Sequence, residues 1–193
     1  MTTVNQPILA GLLDNDSIEF FAYGEHHLAM FNGEVTRINE LPEQILEAIE
    51  AEMLTHPEAM AALIELGKYD RIERIEQWLF CRYGGFDNKP DMVKGVMGEP
   101  EYWACPLRGN CPHEFKLCAG IGGPGGLLTH REIDVIKGVV AGESDKQISD
   151  SLSISTNTVI VHLRNIRVKL HAQSTKDIAA WAVAMNIATP QIF

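Results

Sequence analysis

The chain has 193 residues, enough for one medium domain or two small ones and too few for most multidomain enzymes. With 46% hydrophobic and 22% charged residues, it has the composition of a folded protein, which excludes wholesale disorder. No apolar run approaches the ~18 to 20 residues that span a bilayer, and the opening residues carry no basic n-region, so a cytoplasmic protein with no membrane partner is expected. The net charge of −10 is unevenly spread. Residues 127–193 hold seven basic and six acidic residues, a net +1, which leaves nine and twenty, a net −11, for residues 1–126. An acidic body joined to a near-neutral tail with clustered cations points to two jobs in one chain.

In chain order, Phe20, Phe21 and Tyr23 precede Asn32-Gly33, which supplies the two positive-φ positions of a tight hairpin turn. A small hairpin with flanks His27–Phe31 and Glu34–Ile38 is expected there. Three helices are expected next, over Pro42–Met53, Pro57–Gly67 and Tyr69–Phe80, with each proline where a first turn tolerates it. Ile72, Ile75, Trp78 and Leu79 mark the packed side of the third.

Cys81, Cys105, Cys111 and Cys118 follow, separated by twenty-three, five and six residues, in a segment rich in glycine, proline and aromatics. Such a segment has little helical periodicity and needs something besides a wide core to hold its shape, which a bound metal would supply. Structural zinc sites draw on Cys-x2–4-Cys knuckles, which are missing here, whereas an iron–sulfur cluster accepts wider gaps. The spacing is similar to that of bacterial iron–sulfur transcription regulators, with three close cysteines and one distant. All four are taken as metal ligands, for an iron–sulfur cluster in slight preference to Zn2+, and His113 is a possible substitute ligand. Inert thiols and redox disulfides are the competing readings.

Gly122 to Gly126, with one proline, has almost no side chain and reads as a linker or loose turn. It divides the chain into an acidic sensor or interaction region over 1–120, a linker over 121–126, and a third segment over 127–193. Within the last, Thr129 and Glu132 form a capping box opening a helix that stops at Gly142. A short helix, about Ser144 to Ser151, and a turn at Ser153-Ile154-Ser155 lead to a longer helix ending near Leu170. On that helix Val159, Leu163, Ile166 and Leu170 form a core stripe. Asn157, Val161, Arg164 and Val168 lie on the opposite face. A last helix runs from about Ser174 to Asn186.

A short helix, a tight turn and a longer helix with polar and cationic residues outward is the helix-turn-helix arrangement. The string from Leu128 to Leu170 resembles the LuxR-type DNA-binding domain of bacterial transcription regulators. The resemblance rests on Leu128-Thr129, Arg131-Glu132, Gly142, Lys146, Ile148, Ser155, Asn157-Thr158-Val159, His162, Ile166 and Lys169-Leu170. It covers about residues 127–187 and implies a four-helix domain whose third helix enters the major groove of double-stranded DNA and whose fourth often pairs with a second copy. The expected fold is therefore mostly α: an N-terminal α+β region with a small hairpin, helices and a four-cysteine loop, followed by that domain. The implied phosphate-side contacts are Lys146, Thr156, Thr158, His162, Arg167 and Lys169, and the base-side candidates are Asn157, Val161, Arg164 and Asn165. Where the family usually carries lysine after Thr-Val this chain has Ile160, so its base preference is its own. There is no Gly-x-x-x-x-Gly-Lys loop and no Gly-x-Ser-x-Gly elbow, and no enzymatic activity is expected. The expected function is a DNA-binding transcription regulator, homodimeric on DNA and controlled by the cysteine site. The alternative is a zinc-stabilised adaptor for a protein such as RNA polymerase.

Overall fold

The computed structural model describes residues 10–12, 16–87 and 89–188. Residues 1–9, where the missing n-region was noted, and 189–193, the end of the expected third segment, lie outside them. The chain divides into two compact units, Met1–Ala119 and Gly120–Phe193. Among the described residues no helix is long and apolar enough to cross a membrane.

The first unit contains more sheet than a hairpin. Strands β1 (Ser17–Tyr23), β2 (His26–Phe31) and β3 (Glu34–Arg37) form an antiparallel meander, extended at the β1 edge by β4 (Met92–Val93) and β5 (Val96–Met97), in the order β3-β2-β1-β4-β5. The β2–β3 turn is made by Asn32 and Gly33, both at positive φ (52° and 79°), as the dipeptide requires. The β1–β4 pairing joins Ile18 to Met92 across most of the unit, and no local turn encodes it.

Three helices cover one face: α1 (Glu43–Leu54), α2 (Pro57–Glu65) and α3 (Arg71–Arg82). Pro57 occupies a first helical turn, whereas Pro42 stands one residue before α1 and its carbonyl accepts from the Ile45 amide at 2.9 Å. Asp70 caps α3 by accepting from the amides of Ile72 and Glu73, so the helix starts two residues later than Tyr69 and runs on through Cys81. Phe20, Ile38, Ile49, Leu63, Ile75 and Trp78 centre the core.

The other face of β1 buries acid. Glu19 is fully buried and accepts from the Asp87 amide at 2.8 Å. Asp91 is buried and accepts from the Phe20 amide at 2.8 Å, and Glu101 accepts from the Gly85 amide at 2.6 Å. Burial, reinforced by the neighbouring carboxylates, holds Glu19 and Asp91 well above the usual carboxylate range, and burial lifts Glu101 to about 7. These groups bind protons in the folded unit that the unfolded chain has already released. Their stabilising contribution is complete below the ordinary carboxylate values, about 3.8 for Asp91 and 4.5 for the two glutamates, and is lost as pH rises through about 7 and beyond. The first unit should therefore unfold at a lower temperature at pH 9 than at pH 6. Replacing Glu19 by Gln should flatten that dependence in a fluorescence melt; a melt that rises with pH over this range would refute the assignment.

The second unit begins with a ribbon of β6 (Gly122–Gly123) and β7 (Gly126–Leu127), followed by α4 (His130–Val140), α5 (Asp145–Ser151), α6 (Thr156–Leu170) and α7 (Thr175–Ala184). The glycine segment, read from composition as a linker or loose turn, thus pairs with itself and lies against the end of α6. The Gly125 amide donates to the Lys169 carbonyl at 2.9 Å, and a Cβ on Gly125 would stand 2.3 Å from the Val168 carbonyl oxygen. The absence of side chains permits this close approach.

Candidate nucleic-acid interface and four-cysteine cavity

Each helix of the second unit begins on a side-chain cap. Thr129, Ser144, Ser155 and Ser174 accept from the amides of Glu132, Gln147, Thr158 and Asp177. These caps satisfy amides that helix starts leave without partners, and they fix where each helix begins. The chain turns between α5 and α6 at Ser153, which takes a left-handed conformation (φ 55°), and the Ile154 amide returns to the Ser149 carbonyl at 3.0 Å. The Ser149 and Thr156 hydroxyls are 3.2 Å apart across the turn, and Arg131 donates to the Leu152 carbonyl at 3.3 Å. Gly138 of α4 allows α5 to come close, since a Cβ there would be 2.7 Å from Ile148 Cγ1.

Helix α6 has two opposed faces. Val159, Leu163 and Ile166 are buried, while Asn157, Ile160, Val161, Arg164 and Val168 are exposed. At 100° per residue the exposed set, apart from Ile160 on its margin, falls within one narrow stripe. Val161 and Val168 are 46% and 65% exposed, an apolar surface that water does not favour. Thr156 is also exposed, as is Lys146 on α5. Thr158, His162, Asn165 and Arg167 are half-buried along the flanks.

Lys169 is placed differently from the other candidates. Its ammonium group meets Oε2 of the buried Glu132 at 2.7 Å, tying the end of α6 to the start of α4. The same Oε2 accepts from the Thr129 amide at 2.7 Å and its hydroxyl at 3.0 Å. Burial alone would raise the Glu132 pKa, but Lys169 and Thr129 together hold it below the usual range. This partner, 37 residues away, gives no local signal in the sequence.

In the first unit the four cysteines converge. Cys81 near the end of α3 and Cys105, Cys111 and Cys118 of the following turns line one cavity of about 80 Å3. All four are free thiols. Burial pushes the Cys81 thiol up to about 12, and burial also raises Cys105. Gln77, one turn before Cys81, donates to its sulfur at 3.3 Å. Arg108, three residues after Cys105, lines the same cavity and is almost fully buried. Its guanidinium lies over the Tyr102 ring, 4.7 Å from the centroid. His113 does not line the cavity; its Nδ1 faces Glu65 at 3.5 Å. Among the described residues, no three His, Cys, Asp or Glu side chains are grouped as a cage for one metal ion.

A capped short helix, a left-handed turn and a two-faced helix define the helix-turn-helix class. Residues 126–182 match the family described as "Bacterial regulatory proteins, luxR family", so the second unit carries a LuxR-family helix-turn-helix domain. Among curated relatives, the "Nitrate/nitrite response regulator protein NarP" of Escherichia coli (strain K12) is 47% identical over 51 residues, 26% of this chain and 24% of the relative. The "CsgBAC operon transcriptional regulatory protein" of the same organism is 29% identical over 120 residues, 56% of this chain and 52% of the relative. The "HTH-type quorum sensing-dependent transcriptional regulator VjbR" of Brucella ovis is 34% identical over 61 residues, 32% of this chain and 24% of the relative. The chain therefore spans from about a quarter to half of the length of these relatives. No solved structure matches the chain.

Two substitutions separate a structural cation from a surface one. Lys169→Met leaves Glu132 buried beside only Thr129 and should cost about 1 to 3 kcal/mol. It should also speed amide hydrogen exchange in α4 and α6. Lys146→Met should leave exchange unchanged. Equal exchange in the two variants would deny Lys169 its role as a tie.

Proposed function

We propose that the protein is a non-enzymatic transcription regulator acting where the chromosome is, and that α6 reads base edges in the major groove of double-stranded DNA. The observation that carries this reading is the two-faced character of α6 within a segment that matches the luxR family. One face is spent on the core of its own unit. The other presents an amide, a guanidinium and aliphatic groups in one stripe of a helix narrow enough for the groove.

The chemistry of that stripe assigns roles. Arg164 has the fork that pairs with the two acceptors on a guanine edge, and Asn157 can pair with adenine. Val161, with Ile160 beside it, suits thymine methyl groups. Lys146, Thr156, Thr158, His162 and Arg167 are placed to meet backbone phosphates, which position the domain without specifying sequence. The exposed N-terminus of α6 adds amides and a positive dipole end toward a phosphate. Lys169 also holds α6 in place through its contact with Glu132. A second copy is expected on DNA through α7, where Val183 and the C-cap residue Met185 just after the helix are 38% and 41% exposed.

The test is selection of duplexes from a random library by the full chain, followed by anisotropy titrations of the winner and a scrambled duplex. Arg164→Ala should reduce discrimination between the two by about 1 to 3 kcal/mol. Lys146→Ala should weaken both alike and lower the salt slope by about one unit. Failure to enrich any sequence, or equal losses on both duplexes for Arg164→Ala, would remove α6 as the reading helix.

A further inference from the structure

We propose that Cys81, Cys105, Cys111 and Cys118 together ligate an iron–sulfur cluster in the first unit. This goes beyond the reading of DNA and does not depend on it. Three of these cysteines come from turns and one from the last part of α3, yet all four line one cavity. Backbone and side-chain bonds dock the turns on α3. The Glu101 amide donates to the Arg82 carbonyl at 3.0 Å, Tyr83 donates to the Gly98 carbonyl at 2.8 Å, and Arg82 donates to the Leu117 carbonyl at 3.3 Å. The sulfurs are thus gathered by residues that are not themselves ligands.

The dimensions favour a polynuclear group over a single ion. A tetrahedral zinc site with Zn–S bonds of about 2.3 Å brings its sulfurs within roughly 4 Å of one another and leaves no internal room. The cavity here, about 80 Å3, is several times the ~10–15 Å3 that admits one water. A 4Fe–4S cluster binds each cysteine at its own iron, so its ligands stand farther apart around a larger centre. Phe80 and Leu117 supply apolar wall, which suits a centre that must be shielded from water.

The surroundings also favour an anion carried on sulfur. Four thiolates outweigh the positive charge of an iron–sulfur core, so the ligated cluster is anionic. Arg108, although paired at 3.8 Å with Glu114 of the same cavity, has a further donor to answer that charge. Its Nε donates to the Trp103 carbonyl at 3.2 Å and its Nη1 is 3.8 Å from Glu114, but its Nη2 is buried with no hydrogen-bond partner. A buried guanidinium nitrogen left without an acceptor is costly, and a cluster sulfur or cysteine thiolate in the cavity would serve. The Gln77 amide on Cys81 and the Leu107 amide on Cys105 already donate to sulfur, the contacts that tune such clusters. On binding, each of the four thiols gives up its proton as one Fe–S bond forms, with no change of oxidation state required.

The experiment is anaerobic purification of the full chain, with its absorption spectrum and its iron, acid-labile sulfide and zinc content. A broad band near about 400 nm with equal iron and sulfide, about four of each per chain, is expected. A colourless chain with one zinc, or one with neither metal, would overturn the proposal. Cys81→Ser, Cys105→Ser, Cys111→Ser and Cys118→Ser should each lose at least several-fold in iron and sulfide. A variant that kept the full band would remove its cysteine from the ligand set and so break the four-ligand assignment. The wild-type stoichiometry decides the main point whether or not a variant folds, and duplex binding by the same samples is read out separately.

Discussion

Glu132 is buried at the start of α4, and its Oε2 collects three donors: the Thr129 amide, the Thr129 hydroxyl and the Lys169 ammonium. The arrangement of the helix-turn-helix unit depends on this one oxygen. An isolated buried carboxylate would cost several kcal/mol, and here two donors come from its own helix start and one from the far end of α6. The contact ties the end of α6 to the start of α4. Since Glu132 is held below the usual carboxylate range, its contribution is present above that range and fades only as the medium becomes strongly acid.

The same oxygen gives Lys169, which the LuxR resemblance implies as a phosphate contact, a partner within the fold as well. Lys169 sits on the margin of the helix, where sequence periodicity allows either a phosphate or a partner within the fold. The partner is Glu132, which in the sequence already looks satisfied as half of a capping box. A carboxylate oxygen can accept from more than one donor, so local satisfaction does not exclude a distant one.

Legibility along the chain follows the range of the interaction. The capping box at Thr129, the core stripe of α6 and the Asn32-Gly33 turn are encoded within a few residues and can be read directly, whereas the caps at Ser144, Ser155 and Ser174 appear in the structure. The β1–β4 pairing of Ile18 with Met92, the buried acids Glu19 and Asp91, and the packing of Gly125 on the Lys169 carbonyl depend on residues far apart. They left no periodic trace. The cysteines fall between these cases. Their clustering was visible, but their convergence on one cavity with Arg108 and Gln77 is tertiary. Gln77 carried a weak signal in its position one helical turn before Cys81, which was legible only once α3 was known to extend through Cys81.

The low positive charge of the second unit shapes how it can bind DNA. Residues 127–193 carry a net charge of only +1, and one of their seven cations is committed to Glu132. Arg131 is also engaged, at 3.4 Å from Asp134 and in a bond to the Leu152 carbonyl. Affinity that rises from phosphate neutralisation scales with the number of cations that release counterions, so few cations mean weak non-specific attraction and a shallow dependence on salt. The acidic first unit, on the same chain, adds repulsion rather than attraction toward a polyanion. On the proposed reading, selectivity would rest on base-edge contacts along α6, since attraction to phosphate alone is weak. The outer face of α6 presents aliphatic Ile160 and Val161 beside the guanidinium of Arg164 rather than a row of lysines, a composition suited to base edges more than to indiscriminate phosphate attraction.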